Sequence, residues 1–564
     1  MTRILLRCLV VSLLSTGIVF AAPPKKGGGD MTFEPETVEH AKPTPAPAPV
    51  APPKRTHRGK MQSPSEPAPA PGAQTKTLDR ALKLYDAKDY ATATIELNKV
   101  IEGQTKDDEA GKERAEFFMG KALYQMEYWS AALNGFDRIV QKGPQHRYYN
   151  KTLQWLASLN DKLPESSGVL DRIGNYSRED LDQGALELVR DKLYYLLGRY
   201  HYSKANFKDA IALFSAVPEK SEFFPPAKYF EGMTYVRQNQ GKVASESFKA
   251  ILRKVKAFPD PDKVPKVLRE YEELSNLTLG RIFYTTGQYD LSIKYYEKLD
   301  QQSPDWLPSL FEASWAYYMK DGDSKALGNI HSIASPFFEN EFYPESLILK
   351  AVIYYERCNY DRSQEAIDEF NVAYPSVRKD LEEALRKFPD NAQFYDYAMT
   401  IRRGQAGFTG RFKRAVEGAL EDRTLGKNLS FVADLDRELK SIETSDPSWK
   451  STAVAANILQ DLTLQRSLAA NEAGNLARTR LKRLAGEIRE LEKQSLKIEY
   501  ETLGAFKGQL QSKFTGEAAG GPQGRSKYNE IKFDDEHQVY PFTGEYWRDE
   551  LGYYRFRVQN RCGK

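Results

Sequence analysis

The sequence predicts an all-α protein in which paired helices repeat along the chain, followed by a helical C-terminal region and a short aromatic-rich tail. Two observations carry this prediction. A frame of small and aromatic residues returns at intervals of about 34 residues, as from Ala210 to Ala244 and from Ser292 to Ala326. Beyond these frames, residues 451–511 are rich in helix-forming side chains and contain only scattered glycines.

The N-terminal residues 1–21 have the features of a secretory signal peptide. Arg3 and Arg7 supply positive charge, and the apolar stretch Leu9–Phe20 that follows is too short to span a bilayer. Ala21 then offers the small residue that a signal peptidase requires. We therefore expect an exported protein with no transmembrane span after cleavage, which in a Gram-negative bacterium lies in the periplasm.

Residues 22–75 are predicted to form a disordered Pro/Ala-rich linker. Prolines alternate with alanines from Pro45 to Pro49, a composition that favours extended polyproline II structure and cannot bury a core. A basic island, residues 54–60, interrupts the linker. It is either a peripheral contact with an anionic polymer or lipid of the envelope or a solvated charge cluster.

From residue 76 to residue 375 one frame recurs in about eight units. A small residue is followed nine positions later by an aromatic residue, and three positions after that by a second small residue. A degenerate unit is placed at residues 148–159 and 166–176, between the second and third clear copies. The clear copies are carried by Ala81, Tyr90 and Ala93; Gly120, Trp129 and Ala132; Gly198, Phe207 and Ala210; Gly232 and Ala244; Gly280, Tyr289 and Ser292; Ser314 and Ala326; and Ala351, Tyr360 and Ser363.

This spacing has a physical reason. Two antiparallel helices can cross closely only where their side chains are small, and a large apolar side chain then fills the gap beside the crossing. We expect the small residues to lie at the crossings and the aromatic residue nine positions after the first small one to fill the wedge. The frame therefore predicts stacked helical hairpins.

Residues 376–515 are predicted to be helical, with apolar residues near a heptad seam at Leu481, Leu484, Ile488, Leu491 and Ile498. A coiled coil and an antiparallel pairing with a helix around residues 431–442 explain this seam equally well. Residues 516–564 comprise a Gly-rich joint and an aromatic-rich tail, which docks either on the repeat array or on a partner, because so much apolar surface is unfavourable in water. Only Cys358 and Cys562 remain after signal cleavage, and the sequence leaves open whether they pair.

The frames quoted above resemble tetratricopeptide repeats, and the resemblance covers residues 77–375. It implies a right-handed helical superhelix and a role in protein interaction. The layout of signal, Pro-rich spacer, repeats, helical region and a tail containing residues 545–552 is similar to that of periplasmic repeat proteins of deltaproteobacterial gliding-motility envelope complexes. Gly241 in place of an aromatic residue, and Ser at some small positions, depart from the family pattern.

In the family, four positions of the first helix of each unit line a concave groove. Counting from the small residue predicts a groove rich in tyrosine with a few cations, which suits an extended or helical peptide partner. The rings supply contact area, their hydroxyls bond to the peptide backbone, and the arginines pair with carboxylates of the partner. The same side chains can instead pack between neighbouring first helices, and both roles can hold for one residue. The predicted groove residues are Tyr85, Phe117, Lys121, Tyr124, Tyr195, Arg199, Tyr202, Tyr229, Arg281, Tyr284, Tyr318 and Tyr355.

The sequence offers no pattern that argues for catalysis. The six histidines are scattered, without the spacing of a zinc site, and there is neither a Gly-rich phosphate loop nor a nucleophile elbow. Residues 534–537 (Asp-Asp-Glu-His) could bind a cation but are more readily explained as a solvated loop. The near balance of 81 basic and 78 acidic residues gives no reason to expect nucleic acid. We therefore expect no enzyme activity, cofactor or metal.

The predicted function is a periplasmic scaffold that binds protein partners in an envelope machine, with gliding motility as the named candidate. An adaptor or assembly factor for outer-membrane or cell-wall proteins is the alternative.

Overall fold

The computed structural model describes residues 75–338, 341–408, 410–420, 423–514 and 545–562. These residues form helices, turns and loops without a β-strand, which confirms the predicted all-α fold. The signal peptide, almost all of the linker, the Gly-rich joint and the cluster at 534–537 lie outside the described residues. In the described part of the chain, no helix combines the length and apolar character that membrane crossing requires.

Eight consecutive helix pairs follow one another from residue 76 to residue 373. The third pair is the shortest, and the four-residue helix α7 (Arg178–Leu181) separates it from the fourth. The pairs are α1 (Lys76–Asp86) and α2 (Tyr90–Ile101), α3 (Glu109–Gln125) and α4 (Trp129–Lys142), α5 (Tyr149–Leu159) and α6 (Val169–Ile173), α8 (Arg190–Ser203) and α9 (Phe207–Ala216), α10 (Phe224–Arg237) and α11 (Gly241–Lys256), α12 (Lys266–Thr285) and α13 (Tyr289–Tyr296), α14 (Trp306–Met319) and α15 (Asp323–Ile333), and α16 (Glu345–Glu356) and α17 (Tyr360–Ala373).

The small residues of the frame are buried at the helix crossings, as their pattern predicts. Ala81 and Ala93 are fully buried, and so are Ser314 and Ala326. A Cβ atom added to Gly120 would lie 2.6 Å from the ring of Phe136, and the equivalent glycines of three further units meet their own ring in the same way. Because no larger side chain fits, these positions fix how closely the two helices approach.

One detail of the predicted packing is wrong. The ring that fills the wedge lies sixteen residues after the small residue of the first helix, as in Gly120 and Phe136 or Gly198 and Phe214. The ring nine positions after the small residue, Trp129 for example, is only half-buried. The reason is direction, because the later residue points from the middle of the second helix at the crossing, whereas the earlier one begins that helix.

A residue with left-handed backbone conformation ends the first helix of seven pairs, always seven positions after the small residue. The chain there closes a hydrogen bond from the residue after it to the carbonyl five residues back, as from Tyr128 N to Leu123 O at 3.0 Å. This is the Schellman arrangement, which satisfies carbonyl groups at a helix end. Only one of the seven is glycine; they are Lys88, Glu127, Ala205, Asn239, Gly287, Asp321 and Cys358.

Six helices follow the pairs: α18 (Pro375–Lys387), α19 (Asn391–Arg402), α20 (Gly410–Leu420), α21 (Arg423–Glu443), α22 (Pro447–Lys450) and α23 (Ala453–Phe514). With 62 residues, α23 is about 90 Å long. Its first part packs beside α21, α2 and α4, and its later part packs against α16, α17, α18 and α19. The helix therefore reaches from the first two pairs to the last one.

The heptad-spaced residues of α23 pack mainly against helices that neither sequence interpretation named. Leu481 and Ile488 belong to the apolar core that contains Leu381 and Phe394. Leu491 and Ile498 belong to the core of the eighth pair. The segment 431–442 packs mostly beside the first part of α23, at Val454 and Leu462, although its Val432 belongs to the core of Leu481. The seam thus serves to hold α23 against the end of the repeat array.

At the other end, the C-terminal region is fastened to the first two pairs by buried polar and aromatic contacts. Trp449 donates its indole N–H to Thr94 Oγ1 at 3.0 Å, and its ring stacks on Tyr128 with 5.9 Å between centroids. Glu438 accepts a hydrogen bond from the backbone N–H of Ser130 at 3.0 Å. Residues far apart in sequence therefore close the repeat array on itself.

The tail, residues 545–562, docks on the same chain. Its backbone N–H groups at Gly552 and Phe556 donate to Ser332 Oγ at 2.8 Å and to Ser324 O at 3.0 Å. The ring of Tyr546 stacks on His331 at 4.2 Å. The tail therefore lies along α15 and continues to the turn before α17.

A disulfide bond fixes the end of the tail. Cys358, the left-handed residue between α16 and α17, is bonded to Cys562, with their Cα atoms 5.1 Å apart. Close by, Asn359 Nδ2 donates to Gln559 O at 2.7 Å, and Arg561 N donates to Arg357 O at 2.9 Å. The two questions that the sequence left open, cysteine pairing and docking of the tail, are answered within one chain.

Candidate protein-interaction surface

The twelve predicted groove residues lie on the first helices of their pairs, and all are buried or half-buried. Phe117 and Tyr318 are the most enclosed, with 7% and 5% of their surface exposed. The other ten keep part of their surface accessible. We call the surface formed by these twelve residues the first-helix face. It exposes parts of the aromatic rings rather than whole side chains.

In the first three pairs the predicted residues contact their neighbours' rings. Lys121 Nζ lies 4.6 Å from the centroid of Tyr85 and 4.3 Å from that of Phe118. Phe117 stacks on Tyr148 at 4.6 Å, and Tyr124 meets the edge of Trp155 at 5.3 Å. Each of these contacts except that of Lys121 with Phe118 joins two adjacent pairs, so these rings stabilise the stacking of units.

The middle pairs use a similar arrangement with arginine. Arg199 lies 3.8 Å from the centroid of Phe230 in the next pair, and its Nη2 donates to Glu165 Oε2 at 2.9 Å. Its Nη1 also donates to the hydroxyl of Tyr195 at 3.0 Å. Tyr202 meets the edge of Phe230 at 5.5 Å. The cation is thus held by one carboxylate and two rings of its own chain.

Arg281 is paired inside the protein. Its Nε and Nη2 donate to the two carboxylate oxygens of Glu312 at 2.9 and 2.6 Å, and Tyr296 donates its hydroxyl to the same carboxylate at 2.9 Å. Glu312 is 7% exposed, so this is a buried ion pair between the sixth and seventh pairs. The sequence suggested that groove arginines pair with a partner's carboxylates, and at Arg281 that role is already filled.

Three further predicted residues keep rings toward their own turns or neighbours. Tyr284 lies 5.6 Å from Tyr289 and Tyr355 lies 5.8 Å from Tyr360, each between ring centroids. The hydroxyl of Tyr229 and that of Thr278 are 3.3 Å apart. Packing between first helices is thus observed for Tyr229, whereas Tyr284 and Tyr355 contact the second helix of their own pair. Binding by the exposed portions of these residues stays a prediction.

Burial shifts the pKa values of tyrosine and lysine side chains on this face, and it keeps the tyrosine hydroxyls protonated. Burial, with a smaller effect of Tyr90, raises the pKa of Tyr85 to about 12. Burial likewise raises the pKa of Tyr284, and burial among rings lowers the pKa of Lys121. Phenols that stay protonated can donate hydrogen bonds to carbonyl groups of a peptide.

The sequence did not identify Glu312 or the contacts of Trp449 as structural centres. Glu312 lies two residues before the small residue Ser314, a position where a single sequence gives no sign of burial. Trp449 follows a proline in a short helix far from its partner Thr94. No local signal could have revealed these pairings, because they depend on how distant segments meet.

A cavity of about 450 Å³ lies between α23 and the first three pairs. Its lining combines apolar residues such as Met119 and Leu123 with the charged groups of Asp137 and Arg172. Those two charges pair with each other at 3.0 Å. Within the part of the chain that the structure describes, no group of three or more His, Cys, Asp or Glu residues is arranged to hold a metal ion.

Comparison with known proteins identifies one repeat. Residues 275–305 match the family model described as tetratricopeptide repeat, and they span most of the sixth helix pair. Comparison with curated proteins finds no match.

Two solved structures are similar to parts of this chain. A tetratricopeptide repeat protein from Parabacteroides merdae ATCC 43184 is 13% identical over 46% of this chain and 92% of its own, with a TM-score of 0.29. A circular tandem repeat protein with novel repeat topology and enhanced subunit contact surfaces is 12% identical over 77% of this chain and 89% of its own, with a TM-score of 0.09.

The matched repeat and the eight helix pairs support a tetratricopeptide repeat protein. Stacked repeats of this kind expose an extended face instead of an enclosed pocket, and such faces bind other proteins. The coarse function that follows is a scaffold for protein–protein interaction.

Proposed function

We propose that this chain is an exported scaffold that holds protein partners of the cell envelope along the first-helix face of its repeats. A gliding-motility complex is the candidate machine, and an adaptor role for outer-membrane or cell-wall proteins is the alternative. The proposal assigns no catalytic step and no cofactor to the chain.

The disulfide between Cys358 and Cys562 is the observation that best supports export. Structural disulfides persist in oxidising compartments and are rare where thiol reductants are abundant. This bond joins residues 204 positions apart and lies among several hydrogen bonds that orient both cysteines. It agrees with the features of a signal peptide at residues 1–21.

The first-helix face supports the binding role. Half-buried tyrosines offer apolar area and a hydroxyl without much loss of side-chain entropy on binding, because neighbouring rings already hold them in place. Tyr124, Tyr202 and Tyr355 all have this character. The face would therefore bind an extended or helical segment through rings and hydroxyls, with fewer ion pairs than the sequence suggested.

Fastening of the array at both ends supports the scaffold role. Trp449 and Glu438 hold the first two pairs, and the disulfide and the seam of α23 hold the last two. A repeat array whose units contact only their neighbours bends easily, whereas these long-range contacts would keep the binding face in one shape.

The binding role is tested with the exported full-length chain carrying Tyr124→Ala and Tyr202→Ala. Arg281 is left unchanged because its substitution would leave the buried carboxylate of Glu312 without its ion-pair partner. We expect partner capture from envelope extracts to fall at least tenfold at unchanged helicity. The control is Tyr553→Ala, since Tyr553 is 73% exposed and lies in the tail.

Two further results would contradict the proposal. One is full capture by the double variant, which would show that the first-helix face is not the binding surface. The other is a reduced, uncleaved chain found in the cytoplasmic fraction, which would show that the chain is not exported. The identity of the captured proteins, motility components or barrel-assembly components, separates the candidate from the alternative.

A further inference from the structure

The last part of α23 carries an exposed apolar stripe. Its five members recur at helical spacings of three and four residues and are 39–82% exposed: Leu496, Tyr500, Leu503, Phe506 and Leu510. The buried face of the same helix is formed by Ser495, Ile498 and Thr502. At about 100° per residue, the centre of the stripe is displaced by roughly a quarter turn from that buried face.

The last part of α23 is largely exposed. Among the residues of α23 up to 511, whose burial the structure describes, Thr502 is the last buried one, and the helix extends to Phe514, about 18 Å further. A helical end of about 12 residues is marginal in water without tertiary contacts, and a continuous row of large apolar side chains on it is unfavourable when solvated. Both features are explained if the stripe is the seam of a helix–helix contact.

Charges beside the stripe indicate what kind of helix fits. Lys493, Lys497 and Lys507 border it on the side of Tyr500, and Glu499 borders the opposite side. Lys493 is bonded to Glu490 at 2.7 Å, whereas Lys497 and Lys507 make no ion pair with residues that the structure describes. A second copy of this chain would bring the same lysines and only one acid that borders the stripe, Glu499, because Glu501 lies further round the helix, near Tyr355 of α16. The charges of two copies would therefore match poorly.

We propose that this stripe docks one amphipathic helix of a partner protein, with apolar residues at three- and four-residue spacing and acidic residues along its basic-facing flank. The apolar seam supplies the buried area, and the acidic flank pairs with Lys497 and Lys507 and sets the orientation. The inference rests on the proposed scaffold role but concerns a surface separate from the first-helix face.

The test uses the full-length exported chain and two synthetic amphipathic peptides with identical leucine seams. One peptide has glutamates beside the seam and the other has lysines. We expect the glutamate peptide to bind at least tenfold more tightly, as measured by fluorescence anisotropy at low ionic strength. Leu503→Asp should weaken its binding at least tenfold, whereas Val372→Asp, at an 80% exposed site on α17, should not change it.

A charge reversal keeps the test decisive if Leu503→Asp disturbs the helix. Lys497→Glu with Lys507→Glu should switch the preference to the lysine peptide. Equal binding of both peptides, or no switch, would overturn the proposal.

Two other results would also overturn it by naming another occupant. The first is a dimer in sedimentation that Leu503→Asp dissociates. The second is strong amide protection of residues 496–510 in the monomer that the peptide does not increase. Either result would contradict only the proposal for this stripe and not the proposed binding role of the first-helix face. Failure of partner capture by the first-helix face would likewise not contradict the proposal for this stripe.

Discussion

The carboxylate of Glu438 accepts a hydrogen bond from the backbone N–H of Ser130, 308 residues away, at 3.0 Å. Ser130 lies in the first turn of α4, whose own N-cap side chain makes no capping hydrogen bond. The C-terminal region thus supplies a negative group to the positive end of a helix in the second pair. This one hydrogen bond therefore both joins the C-terminal region to the repeat array and caps the start of α4.

The first prediction concerns pH. Burial raises the pKa of Glu438 to about 7, and backbone N–H groups at the start of α4 oppose that rise. The folded protein then holds this proton more tightly than the unfolded chain does. The free energy of unfolding should therefore fall as the pH rises from about 4.5 to 7, by up to about 3 kcal/mol. Urea unfolding across this range measures the fall.

Glu438→Gln should remove its share of that slope while leaving the rest. Glu345, whose pKa burial also raises to about 7, should continue to contribute in the variant. A wild-type stability that rises with pH over this interval would contradict the assignment.

The second prediction concerns the buried ion pair. Glu312→Ala leaves the guanidinium of Arg281 without its carboxylate partner between the sixth and seventh pairs. We expect a loss of about 3–5 kcal/mol in the free energy of unfolding, because an uncompensated buried charge remains. The matched control is Arg253→Ala, which breaks an exposed pair with Glu246 and should cost less than about 1 kcal/mol. Equal effects of the two variants would show that burial is unimportant here.

The third prediction concerns the left-handed turns. Ala205 has a φ of 60° and is exposed, so its Cβ opposes the conformation without adding packing. Ala205→Gly should stabilise the protein by about 1 kcal/mol. Ser203→Gly, two residues earlier in an ordinary helical turn, should instead destabilise it by about 0.5 kcal/mol. Thermal unfolding of both variants checks the opposite signs.

The fourth prediction concerns close approach of the tail to α15. A Cβ atom on Gly328 would lie 1.7 Å from Tyr554 O, so Gly328→Ala must displace the tail. Hydrogen exchange should then show faster exchange at the N–H groups of Gly552 and Phe556. Gly418→Ala, where nothing lies within 4 Å, should leave the tail protected and stabilise α20 by about 0.5–1 kcal/mol. Unchanged protection in the first variant would contradict this docking.

The fifth prediction concerns the disulfide. Cys358→Ser opens a covalent loop closed by cysteines 204 positions apart, and the chain-entropy model gives a loss of about 5 kcal/mol. We expect a lower Tm that no longer responds to reductant, whereas the wild type should fall to a similar Tm once reduced. If the Tm of the wild type did not change on addition of reductant, the disulfide would contribute little to stability.

Much of the repeat array could be predicted because its cause is local. Gly120 and Ala132 must be small wherever two helices cross, and that demand returns with each unit. The candidate face was harder, because counting positions places Arg281 correctly on a first helix but cannot reveal Glu312 opposite it. The pairing depends on the offset between neighbouring units, which no single frame encodes.

The sequence by itself determined the helical class, the position of the crossings and the residues that face along the first helices, since these follow from spacing within one hairpin. Tertiary structure alone decided that the tail docks in cis, that Cys358 meets Cys562, and that α23 returns to the first pairs. The physical reason is sequence distance. Contacts between segments hundreds of residues apart depend on the accumulated geometry of all units between them, which local patterns do not specify.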